Sequence, residues 1–208
     1  MMKVLLLNGS PLKDGCCERA LEEVASSLTK NGVGSEIIWL GNKPLGGCMA
    51  CGYCKNHGEC VLADAVNLFA EKAKSADGFI FASPVYYAGM AGGMKSFLDR
   101  LFYSAGANLR YKPGAAVVSS RRAGSTSVFD EINKYFTINQ MPIISSRYWN
   151  EVHGSTKADV EKDEEGLYTM RVLGDNMAYF LACIEAGKAA GVKNRASAEV
   201  PARTNFIR

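Results

Sequence analysis

The sequence predicts an α/β fold, a doubly wound parallel sheet of five strands with helices on both faces. Short, continuous apolar runs alternate with stretches of helical period from one end to the other, each run gives way to a polar or glycine-containing loop, and no repeat, low-complexity tract or linker breaks the alternation. Lys3 to Asn8 has the continuous apolar character of a strand buried on both faces. Leu21, Val24, Ala25 and Leu28 then recur at the i, i+3, i+4, i+7 positions of a helix. Glu36 to Leu40 is the second strand, and a helix capped near Asp64 carries Val66, Phe69, Ala70 and Ala73 on one face. Phe79 to Ala82 is the third, backed by a helix with Met94, Phe97, Leu98, Leu101 and Phe102 in its stripe. Ala115 to Ser119 is the fourth, followed by Val128, Ile132, Tyr135 and Phe136 on a helix. Ile143 and Ile144 place the fifth, and Met170, Leu173, Met177 and Leu181 mark a long last helix.

Five such units suit the strand order 2-1-3-4-5, in which ligands bind beyond the carboxyl ends of the strands, at the switch point beside strand 1. The loops on that edge are 9–17, 41–63, 84–93, 119–125 and 146–166. A chain of 208 residues, 48% hydrophobic and 22% charged, is expected to form one domain over 1–208, with a cysteine-rich loop at 47–61 and an extended tail from about 192. A net charge of +3 with scattered basic residues argues against a nucleic-acid partner, and no apolar run reaches membrane-spanning length. No export signal is read at the N-terminus. The seven cysteines are therefore expected in a reducing cytoplasm as thiols, metal ligands or redox groups.

The first loop, N-G-S-P-L-K-D-G-C-C, runs from strand 1 into a helix start, where free N–H groups and the positive helix end face an incoming anion. It has neither the G-x-G-x-x-G of a dinucleotide fold nor the G-K-[ST] of a P-loop. A compact monophosphate held without metal fits it, and FMN is the common cofactor of this kind in flavodoxin-like folds; a plain Gly-Ser-Pro turn is the other use of such a sequence. The third loop, A-S-P-V-Y-Y-A-G-M-A-G-G, brings aromatics and glycines to a place where backbone can approach a flat ring.

Together, N-G-S-P-x-x-x-G, S-P-V-Y-Y followed by G-x-x-K-x-F-L-D-R, S-R-R-A-G-S-T, M-P-I-I-S-S-R-Y-W-N-E-V-H-G and the terminal T-N-F-I-R resemble the flavodoxin-fold NADPH-dependent FMN reductases, including the iron-sulfur flavoprotein branch. The resemblance implies an FMN phosphate on Ser10 and on the backbone and side chains of Gly15, Cys16 and Cys17. It implies an isoalloxazine ring against Pro84, Val85, Tyr86 and Tyr87, with the far edge near Ser119, Arg121, Arg122 and Gly124. Relatives commonly carry Asn-Thr where this chain has Cys16-Cys17, so Ser10 and backbone groups are expected to hold most of the phosphate. The resemblance also implies a homodimer or homotetramer with the flavin near an interface. NADPH or NADH is then the electron donor, and the acceptor is a quinone, an azo or nitro compound, free flavin or a protein. The alternative is a non-enzymatic carrier that shuttles electrons between protein partners.

Arg121 and Arg122 have two functional readings, a cation at the flavin's pyrimidine edge or a clamp on the extra phosphate of NADPH, beside the plain one of a solvated pair. His153 is a candidate proton donor or a structural histidine, Trp149 covers the flavin or seals the core, and His57 is expected to be exposed. Cys48, Cys51, Cys54 and Cys60 partly match a ferredoxin run, with a longer last gap and no proline after it. The compact motif of the iron-sulfur flavoproteins is closer, which implies a [4Fe–4S] site. An unmetallated reduced loop that covers the flavin edge or an oligomer interface is the competing reading and the one the residues favour. A zinc module suits the compressed spacing less well.

Overall fold

A computed structural model describes residues 2–193 and Thr204. The elements run β1 (Lys3–Asn8), α1 (Cys16–Lys30), β2 (Gly34–Trp39), α2 (Tyr53–His57), α3 (Ala65–Lys74), β3 (Gly78–Tyr86), β4 (Gly89–Met90) and α4 (Gly92–Leu109). There follow β5 (Gly114–Ser120), α5 (Ser125–Ile138), β6 (Glu151–His153), α6 (Lys157–Val160) and α7 (Glu164–Ala189). The sheet order is β2-β1-β3-β5-β6, all parallel, with β4 pairing antiparallel to β3. With the two-residue β4 set aside, this is the expected doubly wound order, its switch point between β1 and β3.

The continuous apolar runs are buried on both faces because helices cover both. Leu5, Leu7, Phe79, Phe81, Ala116 and Val118 face α3, α4 and α5, while Val4, Leu6, Ile80, Ala82, Ala115 and Val117 face α1 and α7. Phe81 is the hub of the first layer, with ring centroids 5.5 Å from Phe136 and 5.9 Å from Phe69. On the other face α1 and α7 approach closely at Gly174, where a Cβ would lie 2.6 Å from the Ser27 Cβ. Asp64 caps α3 as expected, its Oδ1 accepting from the Val66 N–H at 3.0 Å.

The fifth strand is displaced from its expected place. Ile143 makes one isolated bridge to Gly114, and the Ile144 N–H donates to the Gly114 carbonyl at 2.8 Å. The chain then leaves the sheet and rejoins it at Glu151–His153, opposite Val118, Ser119 and Ser120. Only Ile144 fills a buried spot beside β5, Ile143 being exposed, and the true strand carries one apolar residue, Val152, between two polar ones and offers no run to read. Part of the expected loop 146–166 is thus sheet. Of the tail, Val192, Lys193 and Thr204 are described, and the rest of the T-N-F-I-R stretch lies outside the described residues. No described helix is long and apolar enough to cross a membrane.

Candidate functional site

The loop after β1 is built on Asn8, which is wholly buried. Its Oδ1 accepts from the Ser10 N–H at 2.9 Å, and its Nδ2 donates to the Lys13 carbonyl at 3.2 Å and to Glu18 Oε2 at 2.7 Å. The Gly9 N–H donates to the Ala82 carbonyl at 2.9 Å, and a Cβ at Gly9 would sit 2.5 Å from Met94 Sδ and 2.9 Å from that carbonyl oxygen. Glycine alone passes so close to β3. The Ser10 carbonyl accepts from Trp39 Nε1 at 2.9 Å, and its Oγ accepts from the Leu12 N–H at 3.1 Å. The loop enters α1 at Gly15, which brings no capping side chain, so the first-turn N–H groups face outward with the positive end of a 15-residue helix.

One expected contact is corrected here. The Cys17 side chain does not face the cradle: it is buried, with Sγ 3.1 Å from the buried Ser119 Oγ, and burial pushes its thiol pKa up to about 12. A neutral thiol bonded inward offers an anion its backbone N–H and nothing else, and the Ser119 hydroxyl is turned to Cys17 as well. Cys16 is half-buried, and desolvation raises its thiol too. Lys157 closes the outer side, its Nζ donating to Asp14 Oδ1 and Glu22 Oε1, both at 2.8 Å.

Beside this cradle β3 continues through Ser83 and Pro84 to Tyr86 and turns back over Tyr87 and Ala88 into β4. Both turn residues have positive φ, +51° and +58°, in a two-residue hairpin that normally takes Asn-Gly. A tyrosine and an alanine there store strain, which gathers at functional sites. The hairpin is clamped, since the Met90 N–H donates to Glu131 Oε2 at 2.8 Å and the Ala91 N–H to Ser83 Oγ at 3.0 Å. Tyr87 is fully exposed and Tyr86 half so. Gly124 (φ +97°) lies flat against the hairpin, where a Cβ would come 3.0 Å from Ala88 Cα and Val85 Cγ1. The structure thus brings Pro84 to Tyr87 together with the β5–α5 turn.

Arg121 and Arg122 are exposed in that turn, and neither guanidinium has an ion pair among the described residues. His153 stands at the end of β6, Nδ1 3.2 Å from Ser120 Oγ and Nε2 4.0 Å from Glu151 Oε1. Trp149 is half-exposed against Tyr148, at a centroid distance of 5.1 Å, and does not seal the core. A cavity of about 350 Å3 between Gly9, Pro11, Lys43, Tyr86, Ala91 and Gly93 joins the cradle to the hairpin.

A second cavity, of about 750 Å3, is lined by Cys48, Cys51, Cys54 and Cys60 together, against Asp99, Arg100 and Tyr103 of α4. Positive φ at Ala50 (+53°), Gly52 (+73°) and Gly58 (+72°) folds the chain back around the short α2. His57 is exposed as expected and stacks on Tyr53 at 3.8 Å. As the side chains stand, no group of three or more His, Cys, Asp or Glu among the described residues is close enough to hold a metal ion. The cavity opens about 10 Å further along α4 than Gly93, at a rise of ~1.5 Å per residue.

The family NADPH-dependent FMN reductase matches residues 2–156 by its profile. An iron-sulfur flavoprotein of Methanocaldococcus jannaschii is 32% identical over 88% of this chain and 100% of its own length. The chain belongs to this family. As a member of the NADPH-dependent FMN reductases it is an FMN-binding, flavodoxin-like oxidoreductase. An iron-sulfur flavoprotein of Methanosarcina thermophila is 27% identical over 90% of this chain and 99% of its own. The structure of RosB with bound 8-demethyl-8-formylriboflavin-5'-phosphate covers 100% of this chain and 93% of its own at a TM-score of 0.68 and 12% identity. A flavodoxin from the domain Archaea covers 88% and 99% at a TM-score of 0.58 and 16% identity. At these identities the two structures speak for the fold alone.

For this FMN reductase-family chain, the uncapped helix start and the glycine pressed against β3 fit a phosphate held by backbone. Four soft sulfur donors lining one cavity match an iron-sulfur group in donor chemistry, although as the side chains stand they are not gathered closely enough to bind one. Sequence reasoning missed Arg100 and Glu131, which hold the two loops in place. Arg100 lies inside the quoted F-L-D-R and among the apolar positions Phe97, Leu98 and Leu101, and a cation on a core-facing stripe is the signal that calls for a buried acidic partner.

Proposed function

We propose that this protein, a single cytoplasmic domain, is an NAD(P)H-dependent flavoprotein oxidoreductase that binds FMN with its phosphate at the start of α1. The observation that carries the reading is the meeting, at one sheet edge, of an uncapped helix start with a strained aromatic hairpin. Ser10 and the N–H groups of Cys16 and Cys17 hold the phosphate. Pro84, Val85, Tyr86 and Tyr87 bound the ring, and Gly124 keeps its far edge accessible. FMN held there would supply the redox chemistry, acceptance of hydride from the nicotinamide and electron transfer to a second acceptor. Arg121 and Arg122 set a positive field at the ring's far edge or hold the extra phosphate of NADPH. His153, between Ser120 and Glu151, is placed to move a proton at its imidazole Nε2.

Anaerobic stopped-flow mixing with NADPH and NADH tests this: the flavin absorbance bleaches with at least one nicotinamide. Loss of NADPH but not NADH reactivity in Arg121→Ala or Arg122→Ala assigns the clamp. Recovery of FAD, or no flavin uptake, overturns the site.

A second reading is favoured by the shared cavity of the four cysteines and by the iron-sulfur flavoprotein names of the relatives. In it Cys48, Cys51, Cys54 and Cys60 hold a [4Fe–4S] cluster, which supplies single-electron transfer, and the protein is a carrier between protein partners in a homodimer or homotetramer. Dithionite reduction of a flavin that both nicotinamides leave oxidised selects the carrier.

A further inference from the structure

Arg100 is 1% exposed, and each of its five guanidinium N–H groups has an acceptor on the segment 46–64. Nη1 donates to Asp64 Oδ2 at 2.7 Å and to the Gly46 carbonyl at 3.2 Å. Nη2 donates to Asp64 Oδ1 at 2.8 Å and to the Leu62 carbonyl at 2.9 Å. The last donor, Nε, points at Cys60 Sγ at 3.2 Å. The guanidinium is a rigid planar fork, so with all five donors engaged its orientation is fixed by the loop and fixes the loop in return. Gly46 precedes the cysteine run, while Cys60, Leu62 and Asp64 close it. Its other side-chain anchor is Asn67 at the Cys60 end, whose Oδ1 accepts from the Cys60 N–H at 3.0 Å and whose Nδ2 donates to the Cys60 carbonyl at 2.8 Å, while α2 buries no residue and Cys48 and Cys51 are exposed.

We propose that Arg100 is the positioning residue of the cysteine site, closing both ends of the segment onto α4 and aiming an N–H at the Cys60 sulfur. Cys60 then enters the site as a hydrogen-bonded ligand unlike the other three. The proposal rests on the iron-sulfur reading of these cysteines. A hydrogen bond to a ligand sulfur favours the reduced, more negative state of a cluster.

The test compares wild-type protein with Arg100→Lys, which keeps a cation but has no fork, in two measurements. Amide hydrogen exchange across 46–64 rises at least ~10-fold in the variant while β1 and β3 exchange as before. After anaerobic reconstitution with iron and sulfide, the cluster potential falls to more negative values while the flavin potential stays in place. Should Arg100→Lys fail to fold, Asp64→Asn, which loosens the fork without removing it, carries the same two readouts with smaller changes in the same directions. Wild-type exchange in a folded variant overturns the proposal, and so does faster exchange with an unmoved potential, which leaves Arg100 a strut. A wild-type protein that takes up no iron overturns the cluster reading and the sulfur half of the proposal, and exchange of 46–64 in that protein decides the rest.

Discussion

The loop after β1 is bonded to the buried sheet through Asn8, Gly9 and Ser10, whereas the segment from Gly46 to Asp64 is held to the body of the fold by the five donors of the Arg100 guanidinium and by Asn67, which pairs with the Cys60 backbone. In the first, Asn8, Gly9 and Ser10 spend their backbone and side-chain groups on β3, β2 and α1, so the anion-facing N–H groups are oriented by a scaffold that is there for other reasons. In the second, acceptors at both ends of the segment converge on Arg100, which reaches one of the four sulfur atoms, Cys60 Sγ, directly. A cofactor held by backbone N–H groups needs only a correct turn at a helix start. Soft ligands on long side chains need the segment that carries them to be immobilised separately.

The largest change expected from breaking the contrast is at Asp64. Asp64→Ala removes the bidentate partner of a buried arginine and the cap of α3, and costs about 3–5 kcal/mol, which equilibrium urea unfolding reads as a lower midpoint at constant slope. Flavin binding in the residual folded protein stays close to wild type, because the cradle shares no bond with Asp64.

Gly9→Ala attacks the scaffolded region. The added Cβ meets Met94 Sδ and the Ala82 carbonyl, overpacking the site by about 1–3 kcal/mol and tilting the loop, so FMN affinity measured by fluorescence quenching drops with stability. Loss of stability with FMN affinity intact would show that the cradle is less tied to β3 than the contact implies.

Cys17 sharpens the comparison through pH. Its folded pKa of about 12 lies above the ordinary 9.0, so the unfolded chain ionises first. The stabilisation is complete below pH 9 and is lost as pH rises toward 12, at no more than about 1.4 kcal/mol per pH unit. Cys17→Ala flattens that part of the stability profile, and an unchanged slope would place the thiol in contact with solvent.

The smallest effect is at the hairpin. Tyr87→Gly relieves a φ of +51° and stabilises the fold by up to about 1 kcal/mol, while flavin binding or fluorescence quenching weakens. A variant that loses stability would mean that the exposed ring of Tyr87 packs on something in the assembled protein.

Much of the fold was legible from residues. The helical stripes at Leu21, Val24 and Leu28, at Val66, Phe69 and Ala73, and at Met170, Leu173, Met177 and Leu181 are buried where periodicity put them. The loops after β1 and β3 meet at the sheet edge where the sequence put them, but the direction of their side chains was less legible. Cys17, beside an anion-binding turn in sequence, points away from it because the first turn of α1 directs that position onto β5. The edge strand at Glu151–His153 carries too little apolar character to announce itself.

Sequence by itself determined the order of strands, the edge on which the loops after the strands gather and the loop types there, because burial on two faces and the backbone demands of glycine and proline act locally. Only the tertiary structure decided which groups meet across the chain. Ser119 faces Cys17, Glu131 holds the hairpin at Met90, and Arg100 gathers Gly46, Cys60, Leu62 and Asp64. Those pairings follow from satisfying buried polar groups between distant segments, and such satisfaction leaves no period or spacing in the sequence.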